Sequence, residues 1–351
     1  MIHKIFRKKL PGLGEVPYII AEIGVNHEGS LKKAKKLIDL AKEGGAHAVK
    51  FQTYKAEKLA SIHSPAYWDT NLEETPSQFE LFKKYDKFDF GDYKILYKYC
   101  KKKKIDFSST PFDVESVDYL NNLVKYFKIA SADINNFPLL RQVARKKKPV
   151  LLSTGASNKD EIKFALKCLK KYGCSDVSIL HCILNYPTKN INANLNMIED
   201  LKESFPNYII GYSDHTKPDD NMNTLIVADI KGAKIIEKHF TDNKLKKGND
   251  HYHSMDKNDL KIFFKNLKKI RNLLGKKIKQ PIKSEDISRK NARRSIVLDK
   301  HLIKGEKLTE KKILTKRPGS GISPIHWNKV LGKTVNKNLS KDHIIQWKDL
   351  K

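Results

Sequence analysis

The chain has 351 residues, 39% of them apolar, enough for one large core and a second small one. The formal net charge of +29, from 69 basic and 40 acidic residues, is almost all lysine spread along the helical stretches, with only eight arginines; that distribution argues for solvated helix faces and a general pull on anionic substrates, and against a nucleic-acid partner, which arginine would read. Four scattered cysteines without CxxC spacing, no apolar leader in MIHKIFRKKLPGLGE and no run long enough to span a bilayer predict a reduced, cytoplasmic chain with no membrane partner.

The first apolar run, YIIAEIG at 18–24, is short, rich in isoleucine and bounded by Pro17 and Gly24, so it reads as a buried strand. In SLKKAKKLIDLAKEGG, Leu31, Ala34, Leu37, Ile38 and Ala41 share one helical face, with Ser30 as the N-terminal cap and Gly44 or Gly45 as the stop. AHAVKFQT at 46–53 is again a strand. A long excursion follows at 54–90, rich in aromatics and charge, of the kind that forms a functional loop or lid. Strand patterns then recur at IDFSST (105–110), YFKIAS (126–131), PVLLST (149–154), VSILHC (177–182), YIIGYS (208–213) and AKIIEKHF (233–240), separated by helical patterns such as NKDEIKFALKCLKKYG. Eight strands alternating with helices predict an α/β chain with a closed parallel (β/α)8 TIM barrel over residues 1–275. An open doubly wound sheet is the alternative, but no GxGxxG follows the first strand. Residues 276–290 read as a polar linker, and 291–351 as a small domain with some β-structure.

The polar residues share one position, the C-terminal end of a strand or the residues just beyond it. Glu22 and Asn26 follow the first strand, Lys50 and Gln52 end the second, and Ser109 and Thr110 end the third. Lys128, Ser131 and Asp133 come next, then Ser153 and Thr154, His181, Asn185 and Tyr186, Ser213, Asp214 and His215, and last Lys238 and His239. In a (β/α)8 barrel that rim is where active sites lie. Two lysines among hydroxyls suit a phosphorylated anion, and two histidines on neighbouring strands suit a divalent metal with open positions. Glu22 and Asp250 are candidate acid or base groups.

The ordered set IIAEIGVNHEGSLKKAKKLI, AVKFQTYKAEKL, SSTPFDVESVDYL, FKIASADINNFPLL, LLSTGAS, GYSDHT and EKHFT resembles the sialic acid synthases, which include N-acetylneuraminate, pseudaminic and legionaminic acid synthases. The tail KRPGSGISP…VLGKTVNKNLSKDHII resembles that family's antifreeze-like (SAF) domain. The resemblance implies condensation of phosphoenolpyruvate with an N-acetylated amino sugar, a divalent cofactor (Mn2+ or Mg2+), and a homodimer whose SAF domain covers the partner's barrel. It implies further that His215 and His239 hold the metal, and that Lys50, Thr110, Lys128, Ser131, Ser153 and Ser213 bind phosphoenolpyruvate. Glu22 would handle a proton or position water, while Gln52, Asp133, Tyr186 and Asp250 would face the sugar and Arg317 would reach its acetamido group from the other subunit.

Some positions depart from the family pattern. Leu184 stands where a polar residue is usual, with Asn185 one position later; Asp133 stands where Glu is common, and Asn291 where an aromatic is frequent. The stretch GNDHYHSMD keeps Asp250 and carries His251 and His253, whose spacing allows metal binding but for which a hydrogen-bonded loop is the expected role. These departures bear on the acceptor sugar more than on the reaction. Two other readings remain: a catalytically inactive basic binding module, and a Schiff-base barrel lyase using Lys50 or Lys128.

Overall fold

The computed structural model describes all residues except 1–4, 11, 12, 69, 72 and 249. Eight strands form the central sheet, most of them on short apolar runs: β1 (Tyr18–Gly24), β2 (Ala48–Thr53), β3 (Asp106–Pro111), β4 (Phe127–Ile129), β5 (Val150–Ser153), β6 (Val177–Cys182), β7 (Ile209–Asp214) and β8 (Ile235–His239). A helix follows each in turn: α1 (Leu31–Gly44), α2 (Phe90–Lys103), α3 (Val114–Leu120), α4 (Phe137–Arg145), α5 (Lys159–Lys171), α6 (Met197–Ser204), α7 (Asn223–Lys231) and α8 (Lys257–Leu274). Their ends follow local chemistry. The Ser30 hydroxyl accepts from the Lys33 amide at the start of α1, and Gly45 stops it in a left-handed conformation at φ 100°, which glycine adopts without a steric cost. Asn158 and Glu161 form a reciprocal capping box at the start of α5.

The strands run parallel in the order β3-β2-β1-β8-β7-β6-β5-β4. The first strand pairs with the last, the connection a (β/α)8 barrel makes and a doubly wound sheet does not. Among the described residues no backbone hydrogen bond joins β3 to β4; β4 holds only three residues and pairs with β5 alone.

Apolar residues fill two shells. One lies between strands and helices. The other plugs the N-terminal end of the cylinder with Tyr18, Ile20, Ala48, Tyr126, Leu151, Leu180, Ile235 and Phe6. A short hairpin, Lys8–Leu10 against Gly14–Val16, lies between that phenylalanine and β1 in sequence. With the base closed by rings, the open end is the one that carries the polar strand ends.

The chain divides into two compact units, Met1–Leu274 and Gly275–Lys351. Within the second, α9 (Asp286–Ala292) occupies part of the expected linker, and β9 (Ser295–Leu298) pairs antiparallel with β10 (Ile313–Lys316). A separate core, including Ile296, Leu298, Leu308, Val330 and Ile345, holds this unit together. Among the described residues no helix is long and apolar enough to cross a membrane.

Candidate active site

Side chains alternate across a strand, so residues two apart share a face. On β8 that rule sends Glu237 and His239 into the mouth and Lys238 away from it. Every barrel residue assigned a site role from sequence lines one cavity of about 730 Å³: Glu22, Lys50, Gln52, Thr110, Lys128, Ser131, Asp133, Ser153, Tyr186, Ser213, His215, His239 and Asp250. Arg317 lies in the C-terminal unit, exposed, between β10 and Pro318. The long excursion supplies one wall through Tyr67, Trp68, Leu81 and Phe82, and its two short helices, Ala56–Leu59 and Gln78–Tyr85, sit between β2 and α2 in sequence.

Two lysines arrive from strands on either side of the β3–β4 seam and meet one carboxylate. Lys128 lies 3.2 Å and Lys50 3.6 Å from Glu237 Oε1, and the Ser213 hydroxyl donates to the same oxygen at 3.0 Å. Lys50 also pairs with Glu22 and donates to Thr110 Oγ1 at 2.9 Å. Burial alone would raise the Glu237 carboxyl, but Lys128 and Lys50 outweigh it and hold the group below the usual carboxylate range. At Glu22 burial wins over Lys50, and the carboxyl is pushed up to about 7. Burial opposes the charge on Lys50, yet Glu22 and Glu237 raise its ammonium above the ordinary value. A Schiff-base lysine needs the opposite, a depressed amine, so this geometry counts against that reading for Lys50. The Gly155 amide donates to the Ser131 hydroxyl oxygen at 2.9 Å, and Ser153 Oγ is buried with no hydrogen-bond partner.

A second cluster is made of imidazoles. The His215 and His239 ring centroids are 5.5 Å apart, and Tyr186 packs 4.2 Å from the His215 ring. His215 Nδ1 lies 2.8 Å from the Ile183 carbonyl, which can only accept, so the proton sits on Nδ1 and leaves Nε2 free as a ligand. Asp250 Oδ2 stands 3.3 Å from His239 Nδ1, and Asp250 Oδ1 stands 3.8 Å from His253 Nε2. Burial, helped by Glu73 and opposed by His215, raises the Asp250 carboxyl to about 6. Burial, reinforced by neighbouring imidazoles, holds His239 and His253 well below the ordinary histidine value, so both rings are neutral. Gly24, at φ 54° beside the bulge in β1, leaves a cradle there. A Cβ would stand 3.3 Å from both Gln52 Nε2 and Glu22 Oε1 and 3.7 Å from His239 Nδ1. Neutral imidazoles with unpartnered nitrogens, a carboxylate within reach and a glycine-made space fit a divalent cation. The tightest potential ligand set is His239, Asp250 and His253, whose donor atoms lie within 4.8 Å of one another; His215 stands alongside.

Other strand-end residues do structural work. Asn26 donates to the Phe240 carbonyl and to Ser254 Oγ, and Ser109 bonds to Thr53. His181 Nε2 bonds to the Ala193 carbonyl. Lys238 and Asp214 form a fully buried pair at 2.6 Å, pointing away from the mouth by the alternation that brings Glu237 and His239 into it. Leu184 and Asn185 both line the cavity despite the departure at that place. Glu237, to which both lysines point, is the residue the sequence reading missed; its position two before His239 was the available signal.

A (β/α)8 barrel with two lysines and an imidazole cluster gathered at its mouth has the layout of a barrel enzyme. The chain belongs to the NeuB family, whose model matches residues 37–279, and residues 293–351 match the SAF domain. It is 40% identical over 333 residues to the N,N'-diacetyllegionaminic acid synthase of Campylobacter jejuni, covering 93% of this chain and 98% of that one. It is 32% identical to the pseudaminic acid synthase of Helicobacter pylori, covering 92% and 94%. Among solved structures, the N-acetylneuraminic acid synthetase of Leptospira borgpetersenii in complex with citrate superposes with a TM-score of 0.68 at 34% identity, over 79% of this chain and 92% of that one.

Proposed function

We propose that the protein condenses phosphoenolpyruvate with N-acetylmannosamine, or a related N-acetylated amino sugar, and water, giving an N-acetylneuraminate-type nonulosonic acid and phosphate. The observation that carries this is the convergence of Lys50 and Lys128 on one carboxylate beside an imidazole cluster, in a cavity large enough for two small substrates. In the reaction C3 of phosphoenolpyruvate bonds to the sugar's carbonyl carbon, water adds its oxygen at C2, and the C2–O bond to phosphate breaks. Lys50, Lys128, Thr110, Ser131, Ser153 and Ser213 bind the phosphoenolpyruvate anion by charge-assisted and hydroxyl hydrogen bonds. The lysine charges stay close to the phosphate as it departs. Glu22, with its carboxyl near neutrality, positions the attacking water and takes its proton. Gln52, Asp133, Tyr186 and Asp250 orient the sugar, and holding both reactants in one mouth supplies about 7–11 kcal/mol in well-aligned cases. His215 and His239 would hold a divalent cation, Mn2+ or Mg2+, which when bound supplies Lewis-acid polarisation of the carbonyl.

The same reading makes the protein a cytoplasmic homodimer in which Arg317 reaches the acetamido group in the partner's barrel. The four cysteines are all free, which suits a reducing compartment. A second acceptor, a diacetamido-trideoxyhexose leading to legionaminic or pseudaminic acid, is favoured by the named relatives and by the apolar wall of Tyr67, Trp68 and Leu184. The test is purified protein with phosphoenolpyruvate, Mn2+ and a panel of amino sugars, reading phosphate release and product mass. Phosphate release with none of them would overturn the reading. Arg317→Ala is expected to raise the sugar KM, and an unchanged KM would remove the C-terminal unit from the pocket.

A further inference from the structure

The turn after β8 contains two histidines with opposite fates. His251–His253 is a single 3-10 turn, and residues two apart on it face different ways. His251 satisfies both ring nitrogens, Nδ1 with Thr241 Oγ1 at 2.7 Å and Nε2 with Glu28 Oε1 at 3.0 Å. His253 is completely buried, and neither of its nitrogens has a hydrogen-bond partner. A neutral imidazole always carries one N–H and one lone pair, and burying such groups unpaired costs free energy. The fold tolerates that cost beside another group of the same kind. His239 Nδ1 is also buried and unpartnered, and Asp250 lies between the two rings, 3.3 Å from one and 3.8 Å from the other.

Ring positions place His239 and His253 with Asp250 around one centre, and His215 at its edge, outside the set whose donor atoms lie within 4.8 Å of one another. The centroids of His239 and His253 are 4.9 Å apart, those of His215 and His239 5.5 Å, and those of His215 and His253 6.3 Å. Imidazoles that each place a nitrogen about 2.1 Å from one ion stand with centroids roughly 5 Å apart. We propose that His253 is a third imidazole ligand of the divalent ion, joining His239, Asp250 and His215, so that the chain holds a first-row transition ion such as Mn2+ before either substrate arrives. The inference rests on the proposed metal site but adds a ligand to it. A histidine pair alone would leave most of the coordination to water and substrate. A third imidazole with a carboxylate builds the ion into the resting protein, and imidazole donors favour transition ions over Mg2+, which keeps oxygen ligands.

The experiment uses the full chain, stripped of metal and free of substrates, titrated with Mn2+ while the EPR signal of the free ion is followed. Pulsed EPR of the bound Mn2+ then counts coupled imidazole nitrogens. The expected result is a count of three rings, with His253→Ala and His253→Gln each weakening Mn2+ binding tenfold or more. A count of two in the unsubstituted protein overturns the proposal of a third ring whatever the variants do. Affinities of both variants within twofold of the parent overturn it as well. If the variants fail to fold, the ring count alone decides. Failure of the unsubstituted protein to bind Mn2+ would overturn the metal assignment of the proposed function together with this one, whereas a two-ring count removes the third ring and leaves a metal site at the mouth standing.

Discussion

At the base of the barrel, Phe6 packs edge-on to Tyr18 and Tyr126 with centroids 4.9 and 5.2 Å away, and the Tyr18 hydroxyl donates to Asp106 at 2.8 Å. At the mouth of the same strands, Glu22 Oε1, Ser153 Oγ, Glu237 Oε2 and His239 Nδ1 are buried without hydrogen-bond partners. Toward the base the unpartnered atoms are neutral hydroxyls, those of Tyr126, Ser108 and Ser178. At the mouth they include carboxylates and an imidazole, whose desolvation costs more and which a bound ligand would satisfy. Substitutions at the two ends should therefore separate stability from activity.

The widest separation is expected at the imidazoles. His215→Ala or His239→Ala should lower kcat/KM by about a thousandfold or more, and chelation should do the same to the parent, with the thermal midpoint of metal-free protein little changed. Retained turnover in metal-free buffer would break the comparison at its strongest point. Phe6→Ala should behave inversely, costing about 3–5 kcal/mol in denaturant unfolding while leaving kcat/KM of the folded enzyme unchanged. A smaller effect at the mouth sharpens the contrast. Ser153→Ala removes an orphan hydroxyl, so stability should rise by about 1 kcal/mol while the KM for phosphoenolpyruvate rises several-fold.

The smallest effect belongs to the base and is read against pH. Burial holds the His47 imidazole down at about 4 from 6.5, and its Nδ1 accepts the Ile19 amide at 2.9 Å. Its folded value lies below the unfolded one, so between those values the unfolded chain binds the extra proton. The stabilisation is therefore complete above pH 6.5 and lost as pH falls toward 4. Because the ring is partly exposed, its contribution is expected to be about 1 kcal/mol. His47→Gln should flatten the acid side of the stability curve by that amount; an unaltered curve would assign the slope to other groups.

The eight strands were legible because each is a short run recurring between helical patterns and closed by glycine, proline or polar residues, and the rim followed from where those runs stop. Three particulars were not. Glu237 was hidden inside AKIIEKHF, where strand alternation sets it on the face of His239 and turns Lys238 toward Asp214. Position at a strand end did not separate His181, bonded to the Ala193 carbonyl, from His215, which faces the cavity. The two histidines of DHYH looked equivalent in sequence, and only the turn geometry divides the bonded His251 from the unbonded His253. Those distinctions depend on side-chain direction and on partners distant in the chain, which neither spacing nor composition encodes.

The gap between β3 and β4 gives the cylinder one compliant place. Everywhere else on its circumference, changing the girth of the mouth would stretch main-chain hydrogen bonds, but between these two staves none has to break. Thr110 stands on one side of that gap and Lys128 on the other. Among the described residues no ladder bond fixes the span between these two residues, so side-chain packing alone sets it.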